Sequence, residues 1–163
     1  MSEQAQFRLS KAALDEIQGE LAKYPSDRRQ SALMATLRIA QDEHGWLSPE
    51  LIAEVAGIIG VPVVRAYEVA TFYSMYDLEP VGRHKIEVCT NVSCMLRGCD
   101  QVVGHLKQRL GIDFNQTTED GKFTLREVEC LAACAGAPMM AIGHDYYENL
   151  NEEKIDLILE GLE

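Results

Sequence analysis

The sequence predicts an α+β protein: an N-terminal helical bundle over residues 1–80, then a small sheet flanked by helices over residues 81–163. Three observations carry this expectation. Through the first half, apolar residues recur at three- and four-residue spacing. Glu79-Pro80-Val81-Gly82 then interrupts the pattern with linker and turn chemistry. Beyond it, short alternating or apolar runs interleave with helical ones in the order β-α-β-β-α.

Taken in chain order, Ser10 caps a first helix carrying Leu14, Ile17 and Leu21, which Pro25 breaks. Ser26 caps a second helix, with Leu33, Leu37 and Ala40 on one face, ending near Gly45. Ser48-Pro49-Glu50 combines a cap, a proline in the first turn and an acid at the positive end of the dipole. Leu51, Ile52, Val55, Ala56 and Ile59 follow, and Gly60 stops that helix. A fourth helix begins near Pro62 and runs toward Phe72 and Tyr73.

After the linker, His84 to Cys89 alternates, with Ile86 and Val88 on one side and Lys85 and Glu87 on the other, as a strand does. Val102, Val103, Leu106 and Leu110 mark a helix stopped by Gly111. Phe123, Leu125 and Val128 lie in a second strand, and Met139 to Ile142 form a short third. Gly143-His144-Asp145 reads as a turn into Tyr146-Tyr147, and Asn151 caps a last helix with Ile155, Ile158, Leu159 and Leu162.

A net charge of −11 over 163 residues repels phosphate backbones, so nucleic acid is not an expected partner. The longest apolar run, Gly57 to Val64, falls short of the roughly 18 residues needed to span a bilayer. The segment Met1 to Phe7 has no basic start and no apolar stretch, so it does not read as a secretory signal. The expected compartment is reducing, with any membrane link made through a partner.

Five cysteines in a reducing compartment point to metal or redox chemistry rather than disulfides. Cys89 and Cys94 are spaced C-x4-C where a strand gives way to a loop. Cys130 and Cys134 are spaced C-x3-C, again just after a strand. If the two strands lie side by side, both loops leave one sheet edge and the four thiols meet. A [2Fe–2S] cluster needs two thiolates per iron, which two short-spaced pairs supply. Ala132, Ala133, Ala135, Gly136 and Ala137 are small enough to let backbone N–H groups approach sulfur. A structural zinc site uses the same kind of spacing, so spacing leaves both metals open. Cys99 reads as a small packed residue rather than a ligand.

The segments that carry more specific information are His44-Gly45-Trp46, Glu68-Val69-Ala70-Thr71-Phe72-Tyr73, Pro80-Val81-Gly82-Arg83, Val88-Cys89-Thr90-Asn91-Val92-Ser93-Cys94, Thr118 to Leu125, and Val128-Glu129-Cys130-Leu131-Ala132-Ala133-Cys134 with Ala137-Pro138. In order and spacing, from about Leu9 to the C-terminus, the chain resembles the family of the small iron–sulfur (E-type) subunit of NADH–quinone oxidoreductase, respiratory complex I. The resemblance implies a thioredoxin-like [2Fe–2S] ferredoxin domain behind an N-terminal helical domain. It implies one [2Fe–2S] cluster on Cys89, Cys94, Cys130 and Cys134, and so favours iron over zinc. It implies a partner, an FMN-binding flavoprotein subunit with the NADH site and a further cluster, inside a larger complex on the cytoplasmic side of the inner membrane. Equivalent subunits serve soluble NAD-linked hydrogenases and formate dehydrogenases. Many members carry glycine where this chain has Ala132.

The remaining candidates read as structural. Trp46 packs between helices in preference to anchoring a partner, and Tyr67, Phe72, Tyr73 and Tyr76 serve core packing and the domain junction, with a partner surface as the use of the rest. His44, His84, His105 and His144 lack ligand spacing. With no dinucleotide or P-loop glycine fingerprint and no nucleophile arrangement, the chain alone is expected to be an electron carrier without a substrate site.

Overall fold

The computed structural model describes residues 8–162. The segment read above as lacking a secretory signal lies outside them. The chain divides between Pro80 and Val81 into two compact units, a helical one and an α/β one.

In the first unit, Ser10 accepts a hydrogen bond from the Ala13 N–H and opens α1, Lys11–Leu21. The helix expected from Ser26 does not start there. Ser26–Ala32 forms a 3-10 segment, and Arg28 leaves helical φ/ψ. Helix α2 is Leu33–His44. The reason is compositional: Ser-Asp-Arg-Arg-Gln has no apolar stripe to bury, so packing gives it no reason to be regular. Ser48 caps α3, Pro49–Ile59, by accepting from the Leu51 N–H at 3.2 Å. Helix α4 is Val63–Phe72.

The buried faces of these helices form one core around Ile17, Leu33, Leu37, Leu51, Ile52 and Val55. Each such side chain contributes roughly 1.5–3 kcal/mol relative to exposure. Tyr76 joins this core, 5% exposed, and its hydroxyl donates to the Met34 carbonyl at 2.8 Å. Burial pushes its pKa up to about 12, so it keeps the proton that this bond needs. Of the other aromatics in that run, Tyr67 packs against this core, whereas Phe72 and Tyr73 do not follow the expectation of core packing. Tyr67 is partly buried, while Phe72 (79% exposed) and Tyr73 lie open.

Among the described residues no single helix is long and apolar enough to cross a membrane. Helices α3 and α4 reach that composition only together, and they meet at 118°.

The second unit is built on a five-stranded sheet of order β2-β3-β1-β4-β5. Its strands are β1 (His84–Cys89), β2 (Gln116–Thr117), β3 (Phe123–Val128), β4 (Met140–Ile142) and β5 (Asp145–Tyr147). Strands β1 and β3 run parallel, with Ile86 opposite Leu125 and Cys89 opposite Val128. The other pairings are antiparallel. Between β1 and β3 lie α5 (Val92–Leu96) and α6 (Cys99–Leu110), and α7 (Glu152–Gly161) closes the chain. Helix α7 starts on Asn151, which accepts from the Lys154 N–H at 2.8 Å.

Ile86, Val88, Leu125 and Met140 from the sheet pack with Val102 and Leu106 of α6 and Ile155 and Leu159 of α7. Gly82 enters this unit against the start of β3. A Cβ there would lie 2.8 Å from the Phe123 carbonyl carbon, so only glycine lets the two backbones approach.

A charged contact holds α6 to α7. His105 Nε2 lies 2.9 Å from Asp156 Oδ1, and Arg109 Nε lies 3.3 Å from the same oxygen. The hydrogen bond from His105, with help from Arg109, holds the Asp156 carboxyl below the usual carboxylate range. Its folded pKa is therefore lower than its unfolded one. The stability it adds is present above about pH 4 and is lost as pH falls through the depressed folded value. Asp156→Asn should thus lower stability at neutral pH and flatten the loss of stability below about pH 4 in acid-unfolding curves. An unchanged acid limb would show that this contact is not part of the acid response.

Candidate metal centre

Strand β1 delivers Cys89 at its last position. The backbone stays tied to the sheet there: the Cys89 N–H donates to Met139 O at 3.3 Å and the Thr90 N–H to Val128 O at 3.2 Å. Asn91 then caps α5, its side chain accepting from the Val92 N–H. This single helical turn sets Cys94 back toward Cys89, and both thiols are buried. A loop was expected at this position. A five-residue helix has too few residues to show a period, which is why sequence patterning passes over it.

The second pair follows β3. The Cys89 thiol donates to the Glu129 carbonyl at 3.7 Å, which ties the end of β1 to the start of the second loop. Cys130 and Cys134 are both exposed. Cys130 Sγ accepts from the Ala132 N–H at 3.3 Å. This contact comes with Ala132 at φ 59, the left-handed region where glycine is easiest. Cys134–Gly136 form a 3-10 turn, and the Ala137–Pro138 peptide is cis.

The two loops pack on each other. Cys89, Cys94 and Cys99 form one buried cluster with Ala137 and Met139, and Leu131 and Ala133 of the second loop close over it. Burial pushes the Cys94 thiol up to about 11, and its contact with Cys89 adds to this; a hydrogen bond from the Met139 backbone works the other way. Cys99 is also raised, first by burial and then by Asp100, whose Oδ1 lies 3.9 Å away. These are protonated thiols with no metal present, and loading a metal must displace protons.

The donor set suits a two-iron centre. All five cysteines are free thiols. Among the described residues no three or more of His, Cys, Asp and Glu converge as one metal ion would require. A [2Fe–2S] cluster asks for only two thiolates at each iron; Cys89 ends β1 and Cys94 lies in α5, and the segment carrying Cys130 and Cys134 packs against them. Of the histidines, His105 is engaged with Asp156 and none joins the cysteines in a metal-ligand group.

A model of the family described as thioredoxin-like [2Fe-2S] ferredoxin matches residues 17–163. The E-type subunit of NADH-quinone oxidoreductase from Rickettsia typhi is 44% identical over 155 residues, covering 94% of this chain and 91% of the relative. The second E-type subunit of Rhizobium meliloti NADH-quinone oxidoreductase is 50% identical over 146 residues, covering 90% and 86%. This chain belongs to the E-type subunit family of NADH–quinone oxidoreductase. It is the family that the cysteine-bearing segments resemble. The fold occurs in a larger protein as well. A chain in the crystal structure of NAD+-reducing [NiFe]-hydrogenase in the air-oxidized state superposes with a TM-score of 0.71 at 22% identity, over 85% of this chain and 24% of that one.

Within this E-type chain, the segment that carries Cys130 and Cys134 packs against Cys89 at the end of β1 and Cys94 in α5. Sequence reasoning missed how close Cys99 comes to Cys89 and Cys94. Its signal was present only as a third cysteine within one short stretch, Cys89 to Cys99. Glu148, which lies against the turn after Cys134, left no signal at all, since a hairpin separates the two in sequence.

Proposed function

We propose that this chain is an electron-transfer subunit holding one [2Fe–2S] cluster on Cys89, Cys94, Cys130 and Cys134. We place it beside an FMN-containing, NADH-oxidising flavoprotein subunit of NADH–quinone oxidoreductase. The observation that carries the reading is the packing of Leu131 and Ala133 over the buried Cys89–Cys94 pair, because it joins two segments that each carry two thiols. When bound, the cluster supplies a site that takes up and returns one electron at a time.

The chain's own residues do the rest. Cys89 and Cys94 hold one side from a buried, sheet-anchored position, and Cys130 and Cys134 hold the other from the exposed loop. The Ala132 N–H directed at Cys130 stabilises charge on that sulfur. Val92, Met95 and Leu96 leave an exposed apolar surface on the helix that carries Cys94, which suits a protein partner close to the ligands. Residues 81–163 form the iron–sulfur domain in this reading, and residues 1–80 a helical domain that contributes to docking. Both NADH and FMN belong to the partner. The assembly places this chain in the cytoplasm, peripheral to the inner membrane.

The fold also fits the corresponding subunit of a soluble NAD-linked hydrogenase, but relatives at 42–50% identity favour the respiratory complex. Iron, acid-labile sulfide and zinc measured on anaerobically purified chain separate the chemistries. About two irons and two sulfides per chain are expected. Zinc without sulfide, in protein matured with an iron–sulfur assembly system, would make this a zinc-stabilised interaction module instead.

A further inference from the structure

We infer that Glu148 is a positioning residue whose carboxylate, seated on Gly136 beside the Cys134 turn, holds a fixed negative charge at the centre and lowers the reduction potential of a cluster bound there. The inference rests on the ligand set proposed above.

The seat is specific. Gly136 is buried in the turn that begins at Cys134. A Cβ on it would lie 2.6 Å from Glu148 Cβ and closer still to the carboxylate. The glutamate side chain therefore lies along the glycine over its length, in space that any other residue at position 136 would fill.

The backbone fixes this arrangement from both sides. Asn149 N–H donates to Gly136 O at 2.6 Å, and Leu150 N–H donates to Pro138 O at 3.0 Å. On the turn itself, Gly136 N–H returns to Ala133 O and Ala137 N–H to Cys134 O. Segment 148–150 is thus fastened to the loop that carries Cys134, which keeps the Glu148 backbone beside that turn.

No ion pair is formed by the Glu148 carboxylate among the described residues. Lys154 places its ammonium on the Glu148 main-chain carbonyl rather than on the carboxylate. A carboxylate disfavours adding an electron nearby. Because the side chain is exposed, water and salt weaken its field without removing it.

The test uses the full chain loaded with iron and sulfide. Glu148→Gln keeps the length and seat of the side chain and removes the charge. The visible and electron paramagnetic resonance spectra should match those of the unaltered chain, while the midpoint potential in a redox titration moves positive. Glu148→Lys should move it further the same way, and the shift should shrink as salt is raised. An intact spectrum with an unmoved or more negative midpoint overturns the inference alone. A Glu148→Gln chain that fails to hold iron overturns it too, since the residue would then hold the loop rather than charge it. Absence of a cluster in the unaltered chain overturns instead the ligand set beneath it.

Discussion

Replacing Cys130 with alanine should abolish the visible absorption of the purified chain and take its acid-labile sulfide close to zero. Cys130 is exposed, so the substitution removes a thiolate without opening a cavity. Surface changes of that kind alter folding stability by no more than about 0.5 kcal/mol, so circular dichroism and the metal-free unfolding curve should stay as they were. A lost colour would then report lost ligation rather than lost fold. Cys99→Ala is the matched control. Cys99 is buried beside Cys89 and Cys94, so it should cost packing energy yet leave the spectrum in place. An unchanged spectrum in Cys130→Ala would sink the ligand assignment, and a colourless Cys99→Ala chain would move the ligand set by one residue.

Leu125→Ala should destabilise the α/β unit by about 2–5 kcal/mol, read as a lower urea midpoint. Leu125 is fully buried, sits opposite Ile86 on the parallel neighbour, and packs in the core that includes Leu106 and Ile155. Truncation leaves a cavity between the sheet and its helices. The effect should reach the metal centre as well. Strand β3 delivers Cys130 and β1 delivers Cys89, and both depend on the β1–β3 ladder. Iron retained per chain during dilution or mild warming should therefore fall with the midpoint. A loss below about 1 kcal/mol would mean that this position collapses easily and is not the centre of the core.

Much of the fold was legible because many of its elements announce themselves locally. Ser48-Pro49-Glu50, Ser10 and Asn151 each place an oxygen where the first free N–H groups of a helix need one, and all three helices start there. Strands β1 and β3 show in the alternation of Ile86 with Val88 and of Phe123 with Leu125. What escaped was short or irregular. Helix α5 has one turn, β2 has two residues, and Ser26–Ala32 lacks an apolar stripe. None repeats a hydrophobic period often enough, or with enough apolar residues, to leave a pattern.

The sequence by itself determined where the cysteines stand, their two short spacings, and that each spacing begins at or just after a strand's end. Those are properties of neighbours along the chain. Only the tertiary structure decided that Leu131 and Ala133 close over Cys89 and Cys94, that Cys99 shares their pocket, and that Glu148 rests on Gly136. These contacts depend on the parallel pairing of β1 with β3 and on the β4–β5 hairpin folding back on the second loop. Such meetings join residues far apart in sequence, and it is the packing of the whole unit, not a local preference, that brings them within reach of one another.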